Sequence, residues 1–599
     1  MTGRAIAVLL VGATVACSAP APRDIDTRAV VARLAADELE GRLTGSAGSR
    51  LAADYLVQQL DAIGAEPLLG QADYRQSFRF TSGVSDAGTL LDVSAPDGDV
   101  TTWGAEDVRG LAFSDNGSVS GPLVFAGYGL SVPETDGFSY DSYATLDVTD
   151  KIVLVLSYFP EDTEGELRAM LSRSSGPRYK AFAARERGAK GLIVVTGPRS
   201  PNAGELAPLT FDSAMGDAGI VAATVTGPLG EAFMQAAGEA LEEVQASLDT
   251  ANPHVTGFDL PLTVSLDVKL ERQEGTGYNV IGYLPPAATA EVAEPYVILG
   301  AHYDHLGHGR GGDSLARAEE AGEIHNGADD NASGVAAVLS AGAQLANVER
   351  RRGIILAFWS GEELGLLGSA EFVNQALVPM DQIAAYLNFD MVGRLRNNAL
   401  TVQAVGSSPI WTELVEELNE PIGFDLQFVA DPYLPTDVMS LNAAEVPSLA
   451  FFTGSHEDYH RPTDDADTVN YTDLDRIAAL GASVAVRLAS RTDPPEFVRV
   501  EQDVQRAGQA TMRVFTGTIP DYAQEVDGLL LSGVIAGGPA EGAGLMGGDV
   551  VVELAGQTIG DIYDYTYALD LLKVGEPATV VVMRDGERLE MELIPEARE

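Results

Sequence analysis

The sequence has a single cysteine, few basic residues and no long apolar run, and each shortage excludes a class of protein. Cys17 is the only cysteine among 599 residues, so an internal disulfide is excluded. Only 38 Lys and Arg oppose 88 Asp and Glu, giving a net charge of −50, and such a surface repels nucleic acid and anionic lipid headgroups. After the first residues, no stretch reaches the roughly 20 apolar residues of a membrane helix. We therefore expect no nucleic-acid partner.

The amino terminus has the pattern of an export signal. Arg4 precedes an apolar run at residues 5–16, too short to span a bilayer, and Cys17 follows small residues that resemble a bacterial lipoprotein cleavage box. We expect residues 1–22 to be a lipoprotein signal region with cleavage before Cys17, whose acyl chains would be the only attachment to a membrane. Plain secretory cleavage and an uncleaved anchor remain alternatives. The protein is then exported, as a periplasmic or cell-envelope lipoprotein or as a secreted protein.

The remaining chain is long enough for several domains, and its pattern of apolar and polar residues changes along its length. Residues 26–64 have helical spacing, and residues 108–262 form short β-rich runs. From residue 278, strand patterns at 296–300, 353–359 and 384–389 alternate with helices at 333–345 and 365–375. This alternation predicts an α/β fold with a mainly parallel sheet between layers of helices. A linker with Pro494 and Pro495 precedes a further β-rich module.

Histidines and carboxylates cluster where the predicted strands end. Three of the seven histidines lie at 302–308 and two at 456–460, and acidic pairs stand at 329–330 and 362–363. Imidazoles and carboxylates are common zinc ligands, and ligands of parallel sheets sit beyond the carboxyl ends of the strands. Each cluster alone is more often a polar turn, a helix cap or a surface pair. Together, in this order, they indicate a two-metal site with one acid left to accept a proton.

Five motifs carry a resemblance to a known family. They are AHYDHLG (301–307), NGADDNASG (326–334), FWSGEELG (358–365), LNFDMVG (387–393) and DYHRP (458–462). With them, residues 278–470 resemble the dizinc exopeptidase family that contains aminopeptidase Y and the bacterial leucyl aminopeptidases. The resemblance implies the zinc exopeptidase fold, a mixed sheet sandwiched by helices.

The resemblance also implies the roles of individual residues. Two Zn²⁺ ions per chain would be held by five metal ligands, with Asp330 bridging: His302, Asp330, Glu363, Asp390 and His460. Glu362 would be the general base, Asp304 would fix the tautomer of His302, and Tyr459 would donate to the oxyanion. We interpret His305, His325 and His456 as hydrogen-bonded loop residues. Asp329 is expected to neighbour the site without binding metal.

Two flanking modules resemble known domains. Residues 105–260, with GPLVFAGYG at 121–129, resemble the protease-associated (PA) insert of this family, so the peptidase core would comprise residues 23–104 and 261–493. Residues 503–597, with GPAEGAGLMGGDV at 538–550, resemble a small β-barrel-like PDZ domain. Such domains bind a peptide C-terminus as an added strand, and the turn at residues 528–531 would hold its carboxylate.

The sequence therefore predicts a zinc-dependent exopeptidase that acts on peptides, most simply an aminopeptidase. A carboxypeptidase or a dipeptidase on the same fold is the first alternative, and a glutaminyl cyclase is a further relative by fold. From another class, a non-catalytic envelope protein that binds peptides through the insert and the PDZ domain is the second alternative. Loss of a metal ligand would favour this non-catalytic alternative, and all five predicted ligands are present in the sequence.

Overall fold

The structure is a computed structural model, and it describes most of the chain. Described are residues 25–500 except 69, 136–137, 164, 210–217, 252–256, 287–294, 310–313 and 347, and residues 514–597 except 521–525, 527, 536, 561, 570 and 585. The predicted signal region and Cys17 lie outside the described residues. Within the described part of the chain, no helix combines the length and the apolarity needed to cross a membrane.

The helices and strands fall into four stretches of the chain. The first contains α1 (Thr27–Leu34), α2 (Ala47–Ile63), β1 (Glu66–Pro67) and β2 (Arg75–Asp86). The second contains β3 (Leu90–Ser94), β4 (Val100–Trp103), β5 (Val108–Gly110), β6 (Gly117–Phe125), β7 (Ser131–Thr135), β8 (Phe138–Asp141), β9 (Ile152–Leu156), α3 (Gly165–Arg173), α4 (Pro177–Glu186), β10 (Gly191–Val195), β11 (Val221–Val225), α5 (Gly227–Ala236), α6 (Leu241–Leu248) and β12 (Phe258–Val268).

The third and fourth stretches contain the remaining helices and strands. The third contains β13 (Leu270–Leu284), β14 (Tyr296–His302), α7 (Gly334–Ala346), β15 (Ile354–Trp359), α8 (Leu367–Gln375), β16 (Ile383–Phe389), β17 (Ala399–Gln403), α9 (Trp411–Asn419), β18 (Asp425–Phe428), α10 (Val438–Ala443), β19 (Ser448–Phe452) and α11 (Tyr471–Ser490). The fourth contains β20 (Val514–Phe515), β21 (Thr518–Pro520), β22 (Leu529–Val534), α12 (Pro539–Ala543), β23 (Val550–Leu554), β24 (Gln557–Thr558), α13 (Ile562–Leu569), β25 (Ala578–Arg584), β26 (Glu587–Leu593) and β27 (Glu596–Ala597).

The largest sheet is a mixed one with a parallel centre. Its order is β1-β13-β15-β14-β16-β19-β17-β18, with β2 paired to β13. The four central strands β15, β14, β16 and β19 run parallel, and antiparallel strands flank them on both sides. Every residue of β15 and β16 is buried, as expected for strands covered on both faces. The predicted α/β sheet is confirmed.

Helices cover both faces of this sheet because their apolar stripes need a partner. One face packs against α1, α2, α7, α9 and α11, with Leu56, Val335 and Leu480 among the buried contacts. The opposite face packs against α8 and α10 through Phe372 and Leu441. The sheet thus lies between two helical layers.

The strand register brings the polar segments to one edge of the sheet. His302 pairs with Trp359 across β14 and β15, and Gly300 pairs with Asn388 across β14 and β16. The carboxyl ends of the three strands are therefore level. The loops that follow them carry the predicted ligands.

A second sheet has eight strands in the order β4-β3-β12-β6-β9-β10-β11-β5. Strands β6, β9, β10 and β11 are parallel to their neighbours in this series, and the others are antiparallel. Its strands β5, β6, β9, β10 and β11 lie in the predicted insert, and β12 adds β3 and β4 through pairing. Strands β7 and β8 of the insert pair with each other in a separate two-stranded sheet. Helices α3–α6 belong to the same stretch of chain. This region therefore contains more helix than its short β-rich runs predict.

The fourth stretch forms a small antiparallel unit. Its sheet order is β21-β22-β23-β25-β26, and β20 pairs separately with β27. Apolar side chains such as Leu531, Val551 and Tyr565 build its own core. This agrees with the predicted small β-barrel-like domain.

Candidate metal centre

The five predicted metal ligands converge at the carboxyl edge of the parallel strands. His302 ends β14, Asp390 directly follows β16, and Glu363 lies in the loop after β15. Asp330 precedes α7, and His460 comes from the loop between β19 and α11. Residues separated by up to 158 positions in the chain thus share one small volume.

Asp330 lies at the centre of this group. Its Oδ1 is 3.2 Å from His302 Nε2, and its Oδ2 is 3.3 Å from His460 Nε2. Asp390 Oδ1 lies 3.4 Å from the same atom of His302, and Glu363 Oε2 lies 3.2 Å from that of His460. The five side chains therefore form two sets that share only Asp330.

The spacing of these atoms suits a zinc ion in each set. Zinc binds N and O ligands at about 2.0–2.2 Å with tetrahedral angles, which places two ligand atoms of one ion about 3.3–3.6 Å apart. The observed separations of 3.2–3.4 Å lie close to that edge length. One ligand atom from each of His302, Asp330 and Glu363 also lies within 4.8 Å of the other two. The donor set fits zinc.

Glu362 stands apart from both sets. Its Oε2 is 4.0 Å from His302 Nε2, and its backbone N–H donates to Asp304 Oδ1 at 3.3 Å. Burial raises the pKa of the Glu362 carboxyl well above its usual range, His302 opposes the shift, and Glu363 and Asp390 add to it. Burial therefore makes this carboxylate a stronger base than an exposed glutamate.

Asp304 contacts His302 mainly through its backbone. His302 Nδ1 lies 3.3 Å from the Asp304 carbonyl oxygen and 3.7 Å from Asp304 Oδ1, which exceeds hydrogen-bond length. The other carboxylate oxygen accepts a hydrogen bond from Thr44 Oγ1 at 2.9 Å. Asp304 is fully buried, so it connects the His302 ring to the backbone of Glu362.

Tyr459 contacts the centre through its ring. The ring stacks on the imidazole of His460, with centroids 3.9 Å apart and planes at 24°. His460 itself has a left-handed backbone with φ +55°, a conformation that costs energy for a residue with a Cβ and is often found at functional sites.

Residues 279–485 match the sequence profile of Peptidase family M28, and residues 503–594 match that of the PDZ domain. The first segment contains all five converging side chains. This segment belongs to Peptidase family M28.

Curated relatives of the chain are named as aminopeptidases. The chain is 28% identical over 298 residues to "Probable lipoprotein aminopeptidase LpqL" of Mycobacterium tuberculosis, which covers 42% of this chain and 54% of that protein. It is 25% identical over 343 residues to "Probable leucine aminopeptidase 2" of Aspergillus fumigatus, covering 53% and 59%. The chain thus spans little more than half the length of these two relatives.

Among solved structures, the aminopeptidase from Aneurinibacillus sp. strain AM-1 superposes with a TM-score of 0.47 at 21% identity, covering 80% of this chain and 96% of that chain. A second match is "BSAP, a zinc aminopeptidase from Bacillus subtilis", with a TM-score of 0.43 at 20% identity and coverage of 78% and 95%.

The three loop histidines that were predicted to be hydrogen-bonded each have a partner. His305 Nδ1 lies 2.6 Å from Glu363 Oε1, so this loop residue holds the carboxylate in place. His325 Nε2 lies 2.8 Å from Ser314 Oγ. His456 Nε2 lies 3.1 Å from Asp329 Oδ2.

The Asp329 carboxylate points away from the two ligand sets and stabilises the loop beside them. Its Oδ1 accepts from Gly393 N at 2.6 Å, and its Oδ2 faces His456. The carboxylate of Asp464 accepts from the backbone N–H groups of both Asp329 and Asp330, at 2.9 and 3.0 Å. These bonds fix the loop that presents Asp330.

Several residues that support this site were not predicted from the sequence. Asn331 accepts from Gly334 N and Met391 N and donates to Phe389 O, which ties the Asp330 loop to the end of β16. Its place directly after Asp330 in a strong motif was the available signal. Arg42 and Thr44, which contact the same loops from the amino-terminal part of the chain, have no comparable signal.

Asp437 adds a further buried acid to the M28 site. Neither of its carboxylate oxygens has a hydrogen-bond partner among the described residues. Burial raises its pKa to about 7, with His302 opposing and Asp390 adding to the shift. The buried carboxylates around the site outnumber the imidazoles. Bound cations would stabilise this excess of buried negative charge.

We predict that the zinc-free protein becomes less stable as pH rises from about 4 to 7. Burial raises the pKa of Asp437 to about 7 and that of Asp464 to about 6, whereas unfolded Asp titrates near 3.9. A carboxyl with a raised folded-state pKa binds more protons when folded, so its stabilising contribution is lost as pH rises through this interval. The net charge of −50 acts in the same direction.

Calorimetry with chelator present measures this effect. The Tm should fall across the interval, and Asp437→Asn should flatten the slope because that carboxyl no longer titrates. Added zinc should raise Tm more at pH 7 than at pH 5, since zinc binding displaces protons. A zinc-free Tm that rises from pH 4 to 7 would contradict the buried, proton-binding state of these carboxyls.

Proposed function

We propose that the protein is a zinc-dependent aminopeptidase that binds two Zn²⁺ ions per chain and removes N-terminal residues from peptides. The observation that carries this proposal is the division of the five side chains into two sets that share Asp330, with Glu362 beside them. Membership of the M28 domain in a peptidase family and relatives named as aminopeptidases support it.

The metal ligands would be His302, Asp390 and Asp330 Oδ1 in one set, and His460, Glu363 and Asp330 Oδ2 in the other. When bound, the two ions would supply Lewis-acid activation of water and of the scissile carbonyl. His305 Nδ1 contacts Glu363 Oε1, the carboxylate oxygen that does not face His460. Hydrogen-bond partners of this kind orient metal ligands.

Glu362 would move the proton in this reaction. It would accept a proton from the attacking water at a carboxylate oxygen and deliver it to the leaving amine. Its 4.0 Å separation from His302 Nε2 is longer than the separations within the two ligand sets, which leaves it free of metal. The bond from its backbone N–H to Asp304 fixes its position relative to His302.

Tyr459 would donate a hydrogen bond from its hydroxyl to the developing oxyanion. Its ring is held against the His460 imidazole. The loop that carries both residues is anchored by Arg394, whose guanidinium lies 3.0 Å from Asp458 Oδ2, and by Arg396, which donates to Ser455 O at 2.6 Å.

The aminopeptidase reading is tested by blocking one end of the substrate. An unblocked leucyl anilide should be hydrolysed, and its N-acetylated form should show a kcat/KM about 10⁴-fold lower, the discrimination expected when a site binds a polar substrate group that is masked. An N-acetylated peptide with a free carboxylate is the control. Faster cleavage of that control than of the unblocked anilide would instead support a carboxypeptidase, and cleavage of neither would support a non-catalytic peptide-binding protein.

For the cellular location, we propose an exported protein anchored to the cell envelope by acyl chains on Cys17. The support is the apolar run before a lone cysteine and the name "Probable lipoprotein aminopeptidase LpqL" of one relative. Metabolic labelling with a fatty acid, compared between the native chain and Cys17→Ser, tests the anchor.

We propose that a PA insert interrupts the peptidase core and that it extends over residues 90–268, wider than the predicted 105–260, because β3, β4 and β12 pair within its sheet. Its support is the continuity of the largest sheet, which takes β1 and β2 from before the insert and the other seven strands from after it. The insert would restrict access to the cleft or contact the substrate.

For the PDZ domain, we propose binding of a peptide C-terminus along β21 instead of at the turn 528–531. Strand β22 pairs with β23 at Leu529 and Leu530 and with β21 further on, whereas β21 pairs only with β22 among the described residues. Added peptide strands need such an exposed edge. Helix α13 borders this edge, since the Tyr565 hydroxyl lies 2.7 Å from Thr518 Oγ1.

A further inference from the structure

The residues between α1 and α2 contact the loops of the metal centre, although they lie about 260 positions before His302 in the sequence. This segment, residues 37–44, contains Arg42, a fully buried arginine. Among the described residues, its guanidinium donates only to main-chain carbonyl oxygens. An arginine in such a position fixes backbone segments relative to one another, because its planar fork sets the directions of several bonds at once.

The bonds of Arg42 connect two loops that carry predicted metal ligands. Nε donates to Tyr303 O at 2.7 Å, next to His302. Nη1 donates to Asn326 O at 2.7 Å, and Nη2 donates to Gly327 O at 3.0 Å, in the turn that leads into Asp330. A fourth bond, from Nη1 to Leu34 O at 2.6 Å, ties the guanidinium to α1.

Thr44 extends these contacts to the third loop. Its Oγ1 donates to Asp304 Oδ2 at 2.9 Å and lies 3.0 Å from Ser360 Oγ, two residues before Glu362. Segment 37–44 therefore contacts the loops after β14 and β15 and the loop before α7.

The backbone of the segment is held in an unusual conformation. Glu40, Gly41 and Arg42 all have positive φ, at 47°, 64° and 50°, and such a run is unfavourable for residues with a Cβ. A Cβ on Gly41 would lie 2.5 Å from His325 O and 2.6 Å from Gly307 O. Gly307 N also donates to Gly41 O at 3.1 Å. The segment is thus fitted closely to the loop that follows His302.

The charge of Arg42 suits the same position. Burial lowers its pKa to about 10, and the nearby carboxylates of Asp304, Asp330 and Asp464 oppose the shift. The guanidinium therefore stays protonated at neutral pH beneath the acidic centre.

We propose that Arg42 and Thr44 are positioning residues that set the spacing of the metal ligands, so that zinc affinity depends on this segment. This inference rests on the proposed function. Neither residue touches a predicted ligand atom of the five-residue centre, and both act on the backbone or on the Asp304 carboxylate.

A purely structural role would give a different pattern, and Arg352 provides the matched control. It is also fully buried and donates to the main-chain carbonyls of Pro295, Arg491 and Thr492. Pro295 directly precedes β14, at the end of the strand opposite to His302. Arg352 therefore shares the burial and bonding of Arg42 without contact to the ligand loops.

The test compares Arg42→Lys with Arg352→Lys in the full chain. Zinc affinity is measured by competition with a chelating dye, and the stability of the zinc-free proteins by thermal unfolding. Lysine cannot reproduce the fork, so both variants should lose stability, but only Arg42→Lys should bind zinc about 10–100-fold more weakly, the usual effect of losing a residue that orients metal ligands. Unchanged zinc affinity in Arg42→Lys, or an equal loss in Arg352→Lys, would overturn the proposal.

A second pair of variants serves if Arg42→Lys does not fold. Thr44→Val removes the hydroxyl that reaches Asp304 and Ser360 and keeps a side chain of the same shape, whereas Thr44→Ser keeps the hydroxyl. Weaker zinc binding in Thr44→Val, restored in Thr44→Ser, supports the proposal, and equal affinity in the two variants opposes it. If the wild-type protein itself binds no zinc, the proposed function is wrong. If it binds zinc but Arg42→Lys and Thr44→Val bind zinc as tightly, only the positioning role is wrong.

Discussion

Replacing Glu362 by glutamine should lower kcat by about 10²–10⁴-fold, the range that a positioned general base contributes. The amide is isosteric but cannot accept the proton of the attacking water. Zinc content should stay at the wild-type value, because Glu362 Oε2 lies 4.0 Å from His302 Nε2, outside both ligand sets. Steady-state kinetics and metal analysis on the same preparation measure both quantities.

A matched control separates this effect from a general loss of acidic charge. Glu371 lies on α8 and accepts a hydrogen bond from Gln375 Nε2 at the surface, so Glu371→Gln should keep wild-type turnover. A Glu362→Gln protein that keeps zinc and also keeps full turnover would show that another group accepts the proton.

Replacing Asp330 by asparagine should remove both zinc sites at once. Each of its carboxylate oxygens faces one histidine, at 3.2 and 3.3 Å. The amide keeps only one oxygen, so one set loses its Asp330 ligand and the shared bridge loses its charge. Since metal activation contributes several kcal/mol and each 1.4 kcal/mol is about tenfold in rate, kcat should fall by about 10³-fold or more.

The neighbouring acid gives the control for this second variant. Asp329→Asn changes the same chemical group one residue earlier, but that carboxylate accepts from Gly393 N and faces His456, not the ligand sets. We expect Asp329→Asn to lower Tm while zinc content stays near that of the wild type. Equal zinc loss in the two variants would mean that Asp330 is not the shared ligand.

The centre of the fold could be predicted because its signals are local. The runs at 296–300, 353–359 and 384–389 are short and apolar, and the structure has strands over Tyr296–His302, Ile354–Trp359 and Ile383–Phe389. Parallel strands end level at one edge, so polar clusters after each strand must meet there. The convergence of His302, Glu363 and Asp390 follows from that rule and from the register.

Other parts of the fold depend on pairings between distant segments, which no local pattern encodes. Strand β12 pairs with β3 about 170 residues earlier, so the second sheet takes strands from outside the sequence range that resembled an insert. Strand β13 also has an antiparallel partner in β2 along eleven residue pairs.

The same limit applies to the supports of the metal centre. Arg42 donates to carbonyls of residues 303, 326 and 327, and a carbonyl acceptor leaves no trace in residue type. Asp464 accepts backbone N–H groups of the Asp330 loop and could be found only from its closeness to the DYHRP motif.

Zinc-edge anomalous diffraction from crystals of the wild-type protein grown with zinc tests the two-metal proposal most directly. Two peaks should appear, one between His302 and Asp390 and one between His460 and Glu363, with Asp330 contacting both and Glu362 contacting neither. A single peak, or zinc bound at other side chains, would contradict a shared centre built on Asp330.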